Sequence, residues 1–310
     1  MARVSADILL PFEPAPVTRV QKALSARFLL PVQDEIFDLL MGIRLDLDEG
    51  LRRLYPEREG KLYPLGCCRE ISNAVRQHLL QRLRNPQSRA ERAISAFIRG
   101  GGVYRPIWGA LRGCYFQNAT QFGSLYVDVS NDTVTVTKPK VEILPIEEAG
   151  LEAIRDIPHF VEIAQAYWKA RVFANHVIPS LAPLVPVITV TPKGTVVFES
   201  ASGYMIGLMM RNAFRDAQEW LASGPPPPPG LIAAVEPRLA PDLRLAPGLD
   251  GRQAAVDACI AAREAGCHKD TAWSDARVSD YVRMQQNAAQ GGLSNANSRT
   301  SPVAPSPTPP

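Results

Sequence analysis

Two adjacent cysteines, Cys67 and Cys68, stand at a loop-to-helix step that reads Leu65-Gly66-Cys67-Cys68-Arg69-Glu70-Ile71. A thiol in the first turn of a helix lies in the field of unpaired backbone N–H groups, which stabilises the thiolate, and Arg69 adds to that field. Cys68, and after it Cys67, is therefore the candidate nucleophile. The plainer role for either is that of a small apolar side chain packed at a helix start. A nucleophilic thiol needs a base, usually His, and an Asp or Asn to orient it. The chain offers four histidines. His78 lies ten residues along the same helix, about 15 Å from the thiol, which is too far. His176 and His268 suit capping or solvated roles. His159 follows Pro158, and a helix break there leaves it in a loop, so it is the candidate for a distant base.

The elements that must carry these groups follow from apolar spacing. Ile71, Val75, Leu79 and Leu83 recur every four residues, which predicts a buried helix from Cys68 to Asn85-Pro86. Before it, Ile36, Leu39, Leu40, Ile43 and Leu47 predict a helix after Pro31, acidic in its first turns and stopped at Tyr55-Pro56; a shorter one over 18–28 precedes it. Residues 90–99 predict a further helix, ending at Gly100-Gly101-Gly102. Beyond the glycines the period becomes that of strands. Leu125, Val127 and Val129 alternate with Tyr126, Asp128 and Ser130, Asn131-Asp132 makes a turn, and Val134 and Val136 resume the alternation; residues 119–126, preceded by Tyr115 and Phe116, supply a neighbouring strand. Pro139 and Pro145 confine the next segment to an edge strand or loop. A helical stretch over 146–178 with a break or kink at Pro158, a hairpin pairing 187–190 with 195–198, and a helix over 204–221 complete the pattern.

The order of these parts resembles the transglutaminase-like branch of the papain-like thiol enzymes. There a cysteine opens a buried helix, one strand carries the His, and the next carries an Asp between apolar residues. Here Gly66-Cys67-Cys68 opens the helix, Phe116-Gln117-Asn118-Ala119 stands where the His strand belongs, and Tyr126-Val127-Asp128-Val129 stands at the Asp strand. The resemblance covers about residues 62–136 and implies Cys68 as nucleophile and Asp128 as supporting residue, acting on peptide or amide bonds. It departs at the base: no His lies between His78 and His159, so Gln117 or Asn118 takes that position, and neither accepts a proton at neutral pH. Three readings stay open. The domain is degenerate, a distant His supplies the base, or the likeness is accidental. Read simply as a strand residue, Asp128 faces solvent.

Composition limits the alternatives. The net charge is +3, although 14 Lys and Arg face seven Asp and Glu between Arg44 and Gly113. No nucleic-acid motif accompanies that excess, so solvated helix faces are the simpler account and a nucleic-acid partner is disfavoured rather than excluded. Five cysteines without a CxxC pair predict neither a disulfide framework nor a metal site, and fit a reducing cytoplasm. The glycine triplet lacks the lysine of a phosphate loop, and no cofactor is expected. The most apolar internal run, residues 177–190, is broken by three prolines, and no membrane segment is expected.

A protein or peptide partner is the alternative to catalysis. Tyr104, Trp108, Tyr115, Phe116, Phe122 and Tyr126, with Arg105 and Arg112 among them, form either a recognition surface or the core of the sheet. The expected fold is α+β, a small and mainly antiparallel sheet covered by helices. Residues 1–14 form a flexible N-terminus and 15–222 one domain. Residues 223–310, holding 13 of the 28 prolines and two aromatics, form a mostly disordered Pro/Ala-rich tail in which 252–265 makes a small Ala-rich helix with little to pack against.

Overall fold

Thr18 accepts the Gln21 N–H at 3.3 Å and so caps α1 (Arg19–Leu24), from which helical geometry continues through one π turn and one 3-10 turn into α2 (Gln33–Leu54). The three- and four-residue spacing buries Ile36, Leu40, Ile43 and Leu51 on one side of α2. After the short hairpin of β1 (Glu57–Arg58) and β2 (Lys61–Leu62), α3 (Cys68–Arg82) buries Ile71, Val75 and Leu79 against α2. Each such aliphatic side chain contributes about 2 kcal/mol on burial. Ser88 and Glu91 form a reciprocal capping box that starts α4 (Arg89–Arg99). The computed structural model describes residues 9–58, 60–199 and 202–290, the side chains of 238 and 287–290 excepted.

A five-stranded sheet follows, built from β3 (Tyr104–Leu111), β4 (Tyr115–Phe122), β5 (Leu125–Asp128) and β6 (Glu142–Pro145), then the single turn α5 (Ile146–Ala149) and β7 (Leu151–Glu152). Its order is β6-β5-β4-β3-β7, antiparallel throughout. The register sets Trp108 opposite Asn118 and Thr120 opposite Val127, which places Trp108, Phe116, Asn118, Thr120 and Phe122 on one face. That face shares its core with α2, α3 and α4. Ile107, Leu111, Ala119 and Tyr126 lie on the other face, packed with Ala149. Gly109 lets β7 approach: a Cβ there would stand 2.1 Å from the Glu152 carbonyl oxygen.

The chain divides into two units, residues 1–153 and 154–310. The second opens with α6 (Ile157–Trp168) and carries a three-stranded antiparallel sheet of order β10-β9-β8, from β8 (Arg171–Ala174), β9 (Val187–Val190) and β10 (Val196–Glu199). Helices α7 (Gly203–Arg211), α8 (Arg215–Ser223), α9 (Pro229–Val235), α10 (Gly251–Glu264) and α11 (Thr271–Gln290) complete it. Both units are α+β. Among the described residues no helix is long and apolar enough to cross a membrane.

Several local expectations change. Val134 and Val136 form no strand, because Asn131, Asp132 and Thr133 turn inward as a buried 3-10 turn. The helical stretch expected over 146–178 is four elements, α5, β7, α6 and β8: Gly150, at φ +70°, stops α5, and Pro158 sits in the first turn of α6, where its missing N–H is not needed. The helix expected over 204–221 breaks at Ala213 and Phe214, both at positive φ, where the Phe214 ring becomes fully buried. The division into 15–222 and a tail from 223 is also revised. Residues 229–286 bury Leu231, Val235, Leu243, Ala255, Cys259 and Tyr281, and the small side chains of α10 allow close packing on α8. At the other end Leu10 is buried and the Phe12 carbonyl accepts the Trp108 N–H at 2.9 Å. Residues 1–8 and 291–310 lie outside the described residues.

Candidate functional site

Gly66, at φ +75°, reverses the chain into α3, and its N–H donates to the Thr133 carbonyl at 3.0 Å. This turn puts Cys67 at the N-cap and Cys68 in the first helical position. Cys67 is a core residue, 1% exposed, and burial, with Glu70 adding to it, pushes its thiol up to about 11. Cys68 is half-buried and points toward β4, where Asn118 Nδ2 donates to its Sγ at 3.3 Å. Burial raises the Cys68 thiol above its ordinary value; hydrogen bonds from Asn118 pull the other way, and Glu70 and Asp128 raise it further. The help expected from Arg69 is spent, since Glu70 accepts from Arg69 Nη2 at 3.0 Å and from Arg58 Nη1 at 2.7 Å.

The ladder between β4 and β5 ends at Thr120 and Val127, and hydroxyls take over beyond it. Ser72, one turn after Cys68, donates to the Asn118 carbonyl at 3.1 Å and shares a hydrogen bond with Ser130 Oγ at 3.1 Å. Gln117 points to the opposite face, where its Nε2 donates to Asp128 Oδ2 at 2.6 Å. Asp128 is not solvent-facing: it is wholly buried and also accepts from Tyr126 Oη at 3.1 Å and from the Ser130 N–H at 2.7 Å. Burial pushes its carboxyl up to about 6 against those hydrogen bonds. Cys68 and Asn118 thus form one pair and Gln117 and Asp128 another, joined through Ser130.

The loop that carries Ser130 is pinned by charge. Fully buried Arg44 on α2 donates to the Val129 carbonyl at 3.1 Å and pairs with Asp48 and with Asp132 at 3.3 Å. Lys140 closes the group at 3.0 Å from both carboxylates.

His159 belongs to the second unit, in the first turn of α6 and not in a loop; its Nδ1 accepts the Arg155 N–H at 3.3 Å. His176 meets the Leu221 carbonyl at 2.8 Å, and burial lowers its pKa. Within the first unit the single histidine is His78, far along α3. The aromatic residues do not share one surface. Trp108 and Phe116 stack at 5.2 Å on the face of Asn118, whereas Arg105, Tyr115 and Tyr126 lie on the other, where Tyr126 is fully buried. Arg105 donates to the Leu10 carbonyl at 2.9 Å. Ser72 and Ser130 escaped the sequence reading, although Ser72 interrupts the apolar stripe at i+4 from Cys68. Among the described residues no group of three His, Cys, Asp or Glu side chains is gathered for a metal ion. No family model, curated protein or solved structure matches this chain.

Proposed function

We propose that the first unit is a degenerate thiol domain of the transglutaminase-like or papain-like kind, in which the Cys68 and Asn118 pair binds a peptide or amide group without cleaving it. The observation that carries this reading is the 3.3 Å contact of Cys68 Sγ with a carboxamide. A carboxamide donates a hydrogen bond to sulfur but takes up no proton near neutral pH, so the thiol has no base beside it. The upward displacement of the thiol supports the same reading. Trp108, directly across the sheet from Asn118 and stacked on Phe116, supplies an aromatic wall for an extended peptide.

Alkylation by iodoacetamide between pH 6 and 10, read residue by residue by mass spectrometry, tests this. Cys68 is expected to label only toward alkaline pH and later than exposed Cys114. Asn118→His is expected to move the Cys68 profile to lower pH, because an imidazolium beside the sulfur favours the thiolate. Rapid labelling of Cys68 at pH 6 in the unaltered chain would overturn the degenerate reading, and a profile untouched by Asn118→His would overturn the assignment of position 118.

A further inference from the structure

Two turns beyond Cys68, a small cavity lies between α3 and the sheet, lined by Ser72, Arg76, Tyr104 and Thr120 among aliphatic side chains. It has room for roughly one water-sized body. Arg76 Nε and Tyr104 Oη are both buried there and have no hydrogen-bond partner among the described residues. No carboxylate lines the cavity, and the Ser72 hydroxyl is already committed to Asn118 and Ser130. The Tyr104 ring is held edge-on to Phe122 at 4.9 Å, so its hydroxyl is fixed in place. Burial also raises the Tyr104 phenol, which keeps it a donor.

We infer that this cavity is a binding site for a small monovalent anion, with chloride as the probe, held between Arg76 Nε and Tyr104 Oη. Both groups present N–H or O–H to the same space, and an anion accepts from both at once while balancing the guanidinium charge. A water molecule would satisfy the hydrogen bonds but bring no negative charge to the half-buried guanidinium. The size of the space excludes phosphate and sulfate. Neither Cys68 nor Asn118 lines the cavity.

Thermal melts of the full chain in sodium chloride, bromide and gluconate at one ionic strength, together with anomalous diffraction from bromide-soaked crystals, test the site. Melting temperature is expected to rise saturably with either halide and not with gluconate. Bromide is expected to scatter from between Arg76 and Tyr104. Tyr104→Phe, which keeps the ring, is expected to weaken apparent halide affinity about tenfold, the worth of one hydrogen bond to a charged group. Arg76→Gln is expected to abolish the halide response. Identical melting in all three salts, or wild-type crystals with ordinary water density and no bromide peak in the cavity, would overturn the proposal in favour of water alone.

Discussion

Asp128 and Glu91 are both buried, yet their surroundings move them in opposite directions. The native state holds the Asp128 proton up to about 6, whereas an unfolded Asp releases it near 3.8. Between those values the native state binds more protons, so this group makes stability fall as pH rises and stay flat above, by about 3 kcal/mol in all. Burial would raise Glu91 as well, but the Ser88 and Gln87 N–H groups and Arg82 hold it down to about 2 against an ordinary 4.5. Its contribution therefore grows as pH rises from 2 to 4.5. Urea melts across pH 2 to 7 are expected to show both limbs, Glu91→Gln removing the rise and Asp128→Asn the fall. A curve unaltered by Asp128→Asn would mean that Asp128 titrates alike in the native and unfolded states. At this scale the order of elements left Gln117 and Asn118 as alternatives beside Cys68, and only the facing of β4 gives the contact to Asn118. The burial of Asp128 was not legible, since alternation assigns it a face of the sheet and not what covers that face.

Elements with strong local signals read true: the stripes of α2 and α3, the stop at the glycine triplet and the edge position of β6. Failures cluster where tertiary burial overrides local chemistry. A proline tolerated in a first turn hid the start of α6, and buried Phe214 stands in a left-handed conformation that its side chain does not favour. Strand β3 went unread because Pro106 and Gly109 break its pattern. Gly109→Ala tests the close approach behind that glycine. The added methyl would strike the Glu152 carbonyl, so β7 must shift, at an expected cost of about 1–3 kcal/mol in chemical denaturation. Unchanged stability would show that β7 yields freely.

For the molecule as a whole, scarcity of large apolar residues after Ser223 pointed to disorder, but burial depends on where such residues fall. Leu231, Leu243, Cys259 and Tyr281 are all buried, α10 packs on α8, and Tyr281 Oη donates to the Phe198 carbonyl of β10 at 3.3 Å. Ending the chain after residue 222 is thus expected to unfold the second unit, seen as a lost cooperative transition in circular dichroism melts. Retention of two full transitions would restore 223 as a true boundary. The division near 153 gave no compositional sign, because it falls between Glu152 and Ile157 without a proline or glycine run.

Contacts around Cys68 span long stretches of chain: Ser72 meets Asn118 46 residues later, and Arg44 meets Val129 and Asp132 85 and 88 residues later. Such distant pairings form late in folding, after helices that need only their neighbours. During that interval the thiol on a lone α3 is wet and unpartnered, and more open to oxidation than it will be again. The rate at which Cys68 escapes labelling during refolding is thus expected to clock the docking of α3 on β4.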